Sequence, residues 1–337
     1  MNSLNYIGSK YSLYPVLKPT FEKIINKFNR QVVFGDLFAG TGIVGYNIGS
    51  EFDTKIIAND IQYYSYVINR ANLSVYTDED IRHINKYVIE YNKLDGIHGF
   101  IYTNYSKNES CERMYFSNEN AMKIDAIRTK IKEDKQKMND NVYYYLLANL
   151  ISSADKVANT SCVYGAYLKE LKKSASKNLV MHKFDNNTKQ VHVQGDVFCE
   201  NISDIKTPFM DIVYLDPPYN NRQYASNYHI LETIALDDSP EIHGKTGLRD
   251  YTSQKSDFCI KKLVYNRMEE LISKLNARFI TISYNDEGLI DKQHFCELLE
   301  KFGKLEIIEI DYKKFKAQTT VERSETIEYL FVLEKDY

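Results

Sequence analysis

Four consecutive residues, Asp216, Pro217, Pro218 and Tyr219, stand directly after the apolar run Met210–Leu215. The run has the composition of a buried strand. Two prolines must end it, because proline lacks a backbone N–H and its φ is fixed. A carboxylate, an outward-turned carbonyl and an aromatic ring are thereby offered at a strand's carboxyl end. Ligands bind along that edge in open α/β sheets. The three groups match a planar amine: two acceptors for its protons and a ring to stack on its face. An ordinary strand-to-loop stop is the plain alternative. At average residue usage the tetrapeptide would arise by chance in well under roughly one chain in a hundred.

A second cluster lies upstream. Val32–Leu37 reads as a first strand, Gly40–Gly42 as a tight turn, and Ile43 onward as a helix. Glycines there permit positive φ and a close approach of backbone to ligand. Asp60 follows about twenty residues on, after the short apolar run Ile56–Ala58, and an acid at that distance suits ribose hydroxyls. Gly40, Gly42 and Gly45 satisfy the dinucleotide fingerprint, so a nicotinamide dehydrogenase is one reading. Asp36 and Phe38 argue for another. An acid beside the turn repels a pyrophosphate but attracts the ammonium and sulfonium of S-adenosylmethionine.

Taken together, these residues resemble the adenine-N6 DNA methyltransferases of the alpha group, the bacterial DNA adenine methylases of restriction-modification type. The resemblance covers most of the chain. It begins at Asn5, Tyr6, Gly8, Ser9 and Lys10, similar to the family's amino-terminal cofactor motif, with Tyr6 where some members carry tryptophan. It runs through Asp36–Gly42, Asp60, Gly195–Phe198 and Asp216–Tyr219 in the alpha-group order. Asn220–Tyr224, Asn227–Glu232, Ser283–Gly288 and Tyr312–Ala317 also resemble that family. The resemblance implies an α/β, Rossmann-like methyltransferase sheet with an inserted, mainly helical target-recognition domain. It implies S-adenosylmethionine as cofactor, held by Tyr6, Lys10, Asp36, Phe38, Gly40, Gly42, Asp60, Asp196, Val197 and Asp216. Catalysis would fall to Asp216, Pro217, Pro218 and Tyr219, and no metal is expected. A related tetrapeptide beginning with Ser is usual in cytosine-N4 enzymes, so Asp216 favours adenine. Cytosine-N4 or RNA as acceptor, and the dehydrogenase, stay open as alternatives.

Composition bounds the answer without deciding it. At 337 residues and 43% hydrophobic, the chain can bury the core of a large α/β domain with an insertion. Cysteines at 111, 162, 199, 259 and 296 show no paired spacing, which suggests a reducing, cytoplasmic compartment and no structural zinc. Neither a cleavable leader nor a membrane-length apolar run is evident. A net charge of −3 does not favour DNA binding, so local basic stretches must supply it. Lys169, Lys172, Lys173, Lys177 and Lys183 form one, and Lys313, Lys314, Lys316 and Arg323 another. Lys255, Lys261, Lys262 and Arg267 form a third. Solvated faces explain single lysines equally well. Double-stranded DNA is the expected partner, with Lys172, Lys173, Lys313, Lys314, Asn221 and Arg222 as candidate contacts, and a cognate endonuclease is the possible companion.

The elements that must position these groups follow from periodicity. Val16, Leu17, Phe21, Ile24, Ile25 and Phe28 recur at helical spacing. Between about Leu73 and Lys189 helical signals dominate: a helix capped by Asp78 or Asp80, one begun by Ser117, one over Val142–Asn159, and a further one over Gly165–Lys173. Residues 74–189 therefore read as the insertion, with 1–73 and 190–337 as the catalytic domain. Strand signals return at Val191–Val193 leading into Gly195, at Phe279–Ser283, and at Leu305–Ile310 with Thr326–Leu333, an expected antiparallel pair at the sheet's end.

Overall fold

The computed structural model describes Leu4 and residues 10–184, 193–313 and 325–336. Its strands are β1 (Val32–Asp36), β2 (Thr54–Asn59), β3 (Gly195–Phe198), β4 (Met210–Leu215), β5 (Ile242–His243), β6 (Leu248–Arg249), β7 (Ala277–Asn285), β8 (Gly303–Lys313) and β9 (Glu325–Lys335). Its helices are α1 (Tyr14–Ile25), α2 (Ile43–Glu51), α3 (Tyr63–Asn72), α4 (Asp78–Asn92), α5 (Phe100–Tyr105), α6 (Asn118–Asp134), α7 (Asp140–Lys156), α8 (Tyr224–Asn227), α9 (His229–Leu236), α10 (Val264–Lys274) and α11 (Lys292–Leu299). The chain forms two compact units. One comprises 1–8, 62–193 and 225–253, the other 9–61, 194–224 and 254–337.

The second unit holds a seven-stranded sheet ordered β3-β2-β1-β4-β7-β9-β8. The first five of these strands run parallel, and β9 returns antiparallel between β7 and β8. Parallel strands covered on both faces must be apolar throughout, and all six residues of β4 are buried. On one face, Leu37, Val213, Leu215, Ile280 and Ile282 join Met268 of α10, Phe295 of α11 and Phe331 of β9 in a single cluster. Elsewhere in this unit, Phe21 of α1 meets Phe34 and Tyr214 edge-on at 5.4 and 5.6 Å. The expected antiparallel pair at the end of the sheet is present, in continuous register from Gly303↔Lys335 to Lys313↔Glu325. Since β2 lies on one side of β1 and β4 on the other, the chain reverses direction across the sheet at β1. Crevices for ligands open at such a reversal, outside the strands' carboxyl ends.

The first unit is mainly helical, with the short β5–β6 hairpin. Its helices begin where side chains satisfy free N–H groups. Thr77 and Asp80 form a reciprocal capping box at α4, so Thr77 is the cap and Asp80 its partner three residues in. Ser117 caps α6, as its sequence indicates, and Asn139 caps α7. The cap expected at Asp78 or Asp80 is therefore Thr77, and two further expectations are corrected. Gly165–Lys173 forms turns, because Asn159 draws its backbone inward: Leu168 N–H donates to the Asn159 carbonyl and Lys172 N–H to Asn159 Oδ1. The strand expected at Val191–Val193 begins at Gly195, where pairing with Ile56 starts; Val193 is irregular, and 191–192 lie outside the described residues.

Candidate active site

Ala39, Gly40 and Gly42 turn the chain sharply after β1. Gly40 and Gly42 have φ of 52° and 74°, the left-handed region that disfavours a side chain. Asp60, just past β2, accepts the Gly40 N–H at 2.8 Å, and Ala39 N–H donates to Asn59. The turn is thus fastened to the neighbouring strand's end. Asp36 is buried at the end of β1, where its Oδ2 accepts the Gly45 N–H at 3.0 Å. A Cβ on Gly45 would stand 3.3–3.4 Å from Ile56 and Asp36, so glycine permits this approach. Burial pushes the Asp36 carboxyl up to about 7; the Gly45 N–H opposes this, and Asp216 and Asp60 add to it. A buried carboxylate held at the edge of ionisation suits a cationic ligand.

On the next strand, Asp216 follows β4 directly. Lys10 Nζ lies 2.8 Å from Asp216 Oδ1, with the lysine side chain 8% exposed and the aspartate 19%. Burial raises the Asp216 carboxyl above its usual range while Lys10 pulls it back. Burial alone would lower the Lys10 ammonium, but Asp216 and then Glu328 reverse this, so it stays charged. The same ammonium sits 6.0 Å from the centre of the Tyr219 ring. Tyr219 is anchored by its carbonyl, which accepts the Leu289 N–H at 3.0 Å, and its ring meets Tyr284 edge-on at 6.4 Å. Pro217 is buried, while Pro218 and Tyr219 are half-buried. The anchored loop therefore turns one acid and one ring toward a common side.

The structure thus brings Lys10, Asp36, Gly40, Gly42, Asp60 and Asp216–Tyr219 to one sheet edge. Phe38 is half-buried there and packs edge-on against Phe258 at 5.3 Å. Asp196 is not part of this group. It is the second residue of β3, exposed, and ion-paired with Lys55 at 2.8 Å. Val197 is half-buried beside it; the end of β3 is Phe198, whose carbonyl accepts the Asp60 N–H. Tyr6 and Lys314 lie outside the described residues, as does the side chain of Lys313. Asn221, Arg222 and Lys173 are exposed, whereas Lys172 is half-buried and donates to the Thr160 carbonyl at 2.6 Å. Tyr228 and His229 are fully buried in the helical unit, with His229 Nε2 3.1 Å from the Tyr164 carbonyl, which makes them packing residues. Asn285, named in the sequence only within the resembling stretch Ser283–Gly288, is paired across β7 and β9 with Glu328, which sequence reasoning missed; both are buried. The signal was an acid inside the apolar run of β9.

Comparison with known proteins decides among the readings. The family of D12 class N6 adenine-specific DNA methyltransferases matches residues 6–298. The chain belongs to this family. The type II methyltransferase M.NlaIII of Neisseria lactamica is 41% identical over 99% of this chain and 100% of its own length. M.CviAII of Paramecium bursaria Chlorella virus 1 is 38% identical over 98% of each chain. M.FokI of Planomicrobium okeanokoites is 39% identical over 99% of this chain, which spans only 53% of that larger protein. The nicotinamide, cytosine-N4 and RNA alternatives are therefore set aside. This adenine-specific DNA methyltransferase uses S-adenosylmethionine, and the glycine turn with a buried acid beside it fits that cation. Among the described residues no helix is long and apolar enough to cross a membrane.

Proposed function

We propose that this methyltransferase modifies adenine N6 within one short duplex DNA sequence, as the protective partner of a type II restriction endonuclease, in the cytoplasm. The observation that carries the chemistry is the strand-end carboxylate of Asp216, oriented by Lys10 and followed by two prolines and Tyr219. The amine of adenine is a poor nucleophile because its lone pair is delocalised into the ring. Asp216 and the Pro217 carbonyl would accept its two protons, favour pyramidal nitrogen and hold it in line with the sulfonium methyl. Tyr219 would stack on the base. The base must leave the duplex to get there, at a cost of a few kcal/mol, part of which stacking returns. S-Adenosylmethionine supplies an electrophilic methyl group; Asp36 would face its cationic end, and the Gly40–Gly42 turn with Asp60 would take the nucleoside.

Target recognition we assign to the helical unit. The exposed Lys173 and, in the other unit, Asn221 and Arg222 are proposed as DNA contacts. Base-edge contacts there would set the recognised word. The test is methyl transfer from labelled S-adenosylmethionine to unmethylated genomic DNA, with nucleoside analysis and single-molecule mapping. N6-Methyladenine confined to one short sequence is expected. Methyladenine scattered without sequence preference would defeat the modification role.

A further inference from the structure

Ser283–Gly288 has no part in the reading above. Its tyrosine, Tyr284, is the next-to-last residue of β7 and 1% exposed. A hydroxyl buried this deeply needs a partner, and Tyr284 Oη accepts the Ile290 N–H at 3.3 Å. The loop after β7 is folded against the ring. Gly288 comes nearest: a Cβ there would stand 2.1 Å from Tyr284 Cε1 and 2.7 Å from Cδ1. Gly288 is not one of the glycines at positive φ, so its backbone would accept alanine and the ring alone excludes a side chain. That ring is held in turn, with Phe295 at 4.9 Å and Tyr219 edge-on at 6.4 Å. The same loop presents the Leu289 N–H, which donates to the Tyr219 carbonyl at 3.0 Å. A phenylalanine would fill this core volume as well; what the hydroxyl adds is its hold on the loop.

We infer that Tyr284 is a positioning residue for methyl transfer: its ring is the template on which Asp286–Ile290 folds, and that loop, through Leu289, fixes the backbone of Tyr219. The inference rests on Tyr219 as the ring that stacks on the flipped adenine. Stacking sets the plane of the base, and with it the place of N6 relative to the sulfonium methyl. In-line transfer tolerates little error, since a displacement of about 1 Å costs roughly a hundredfold. Pro217 and Pro218 restrict the backbone before Tyr219. The Leu289 bond fixes it at Tyr219 itself. Tyr284 therefore acts through Tyr219, by a ring contact and by the loop it shapes.

The test is steady-state methylation of unmethylated genomic DNA by Gly288→Ala, Tyr284→Leu and the double variant, beside cofactor titration and thermal unfolding. Gly288→Ala should lower kcat by about tenfold to a hundredfold, with cofactor affinity unchanged. Tyr284→Leu should do the same, and the double variant should be no worse than Tyr284→Leu, because both act through one contact. The chain has no tryptophan, so Tyr219→Trp places a single fluorophore at the stacking position. Its time-resolved anisotropy should report a rigid ring, and adding Gly288→Ala should introduce fast local motion. If Gly288→Ala or Tyr284→Leu fails to fold, Tyr284→Phe carries the test: it keeps the ring, loses the bond to Ile290, and should lower kcat severalfold. A wild-type kcat in Gly288→Ala, or in Tyr284→Phe where that stands in, would overturn the inference, as would unchanged motion of the fluorophore. A wild-type kcat in Tyr219→Ala would instead defeat the reading on which it rests.

Discussion

Asp60 and Gly40 are joined by a hydrogen bond of 2.8 Å from the glycine N–H to the aspartate Oδ2. The acid that sequence spacing assigns to a ribose is thus also the clasp of the glycine turn. Asp60→Ala should weaken S-adenosylmethionine binding by roughly tenfold or more, since a charge-assisted bond contributes about 1.5–3 kcal/mol. Asp60→Asn keeps an acceptor for Gly40 and should recover part of that loss. Isothermal titration of the cofactor separates the two. Equal affinities for Asp60→Ala and wild type would remove Asp60 from the cofactor site.

Asp36 predicts a pH dependence. Its carboxyl is raised to about 7, chiefly by burial. The folded state therefore binds a proton there that the unfolded chain has already released. Stability from this group is present below about pH 4 and falls as pH rises toward 7. A cationic cofactor favours the ionised form, so affinity should rise over the same interval, with proton release on binding. Titrations in buffers of different ionisation enthalpy measure that release. Asp36→Asn should flatten the stability decline and abolish the proton release. Undiminished release in the variant would place the titrating group elsewhere.

Glu232 makes a different kind of prediction. Its two carboxylate oxygens accept the N–H groups of Tyr63 and Tyr64 at 2.9 Å each, capping α3 from α9. It is 2% exposed. Glu232→Ala strands those donors and should destabilise the helical unit by about 2 kcal/mol or more. Thermal unfolding should show it, while cofactor affinity stays near wild type. An unchanged melting temperature would mean that water satisfies the helix end as well.

The contrast between Glu232 and Asp216 shows what was legible in the sequence. Asp216 announces itself because two prolines and a tyrosine fix its local geometry, and β1, β2, β4, β7 and the β8–β9 pair follow from apolar runs of strand length. Glu232 acts across a long sequence separation, on α3, and no local pattern encodes such a partner. Residues 165–173 show the same limit from the other side. Their helical spacing is real, but the Asn159 side chain offers the backbone better partners. Asp196 resembled a cofactor residue by its place after a strand signal; the observed strand starts later, and its pairing with β2 turns the acid toward Lys55.

Asp216 itself carries the last prediction. Lys10 takes Oδ1 at 2.8 Å, so the carboxylate is both a substrate acceptor and the counter-ion of a buried cation. Removing it has two effects that separate by substitution. Asp216→Asn keeps the shape and one acceptor oxygen but loses the charge. It should cost roughly a hundredfold to a thousandfold in methyl transfer, the scale seen when one preorganised transition-state contact is removed. Asp216→Ala should lose activity altogether and also lower stability by about 3 kcal/mol, because the buried Lys10 ammonium loses its ion-pair partner. Cofactor affinity should survive in both, measured by titration alongside thermal unfolding. If Asp216→Asn lost cofactor binding in proportion to activity, the residue would serve the cofactor and not the amine. The acceptor of the adenine protons would then have to be sought among the backbone carbonyls of the same turn.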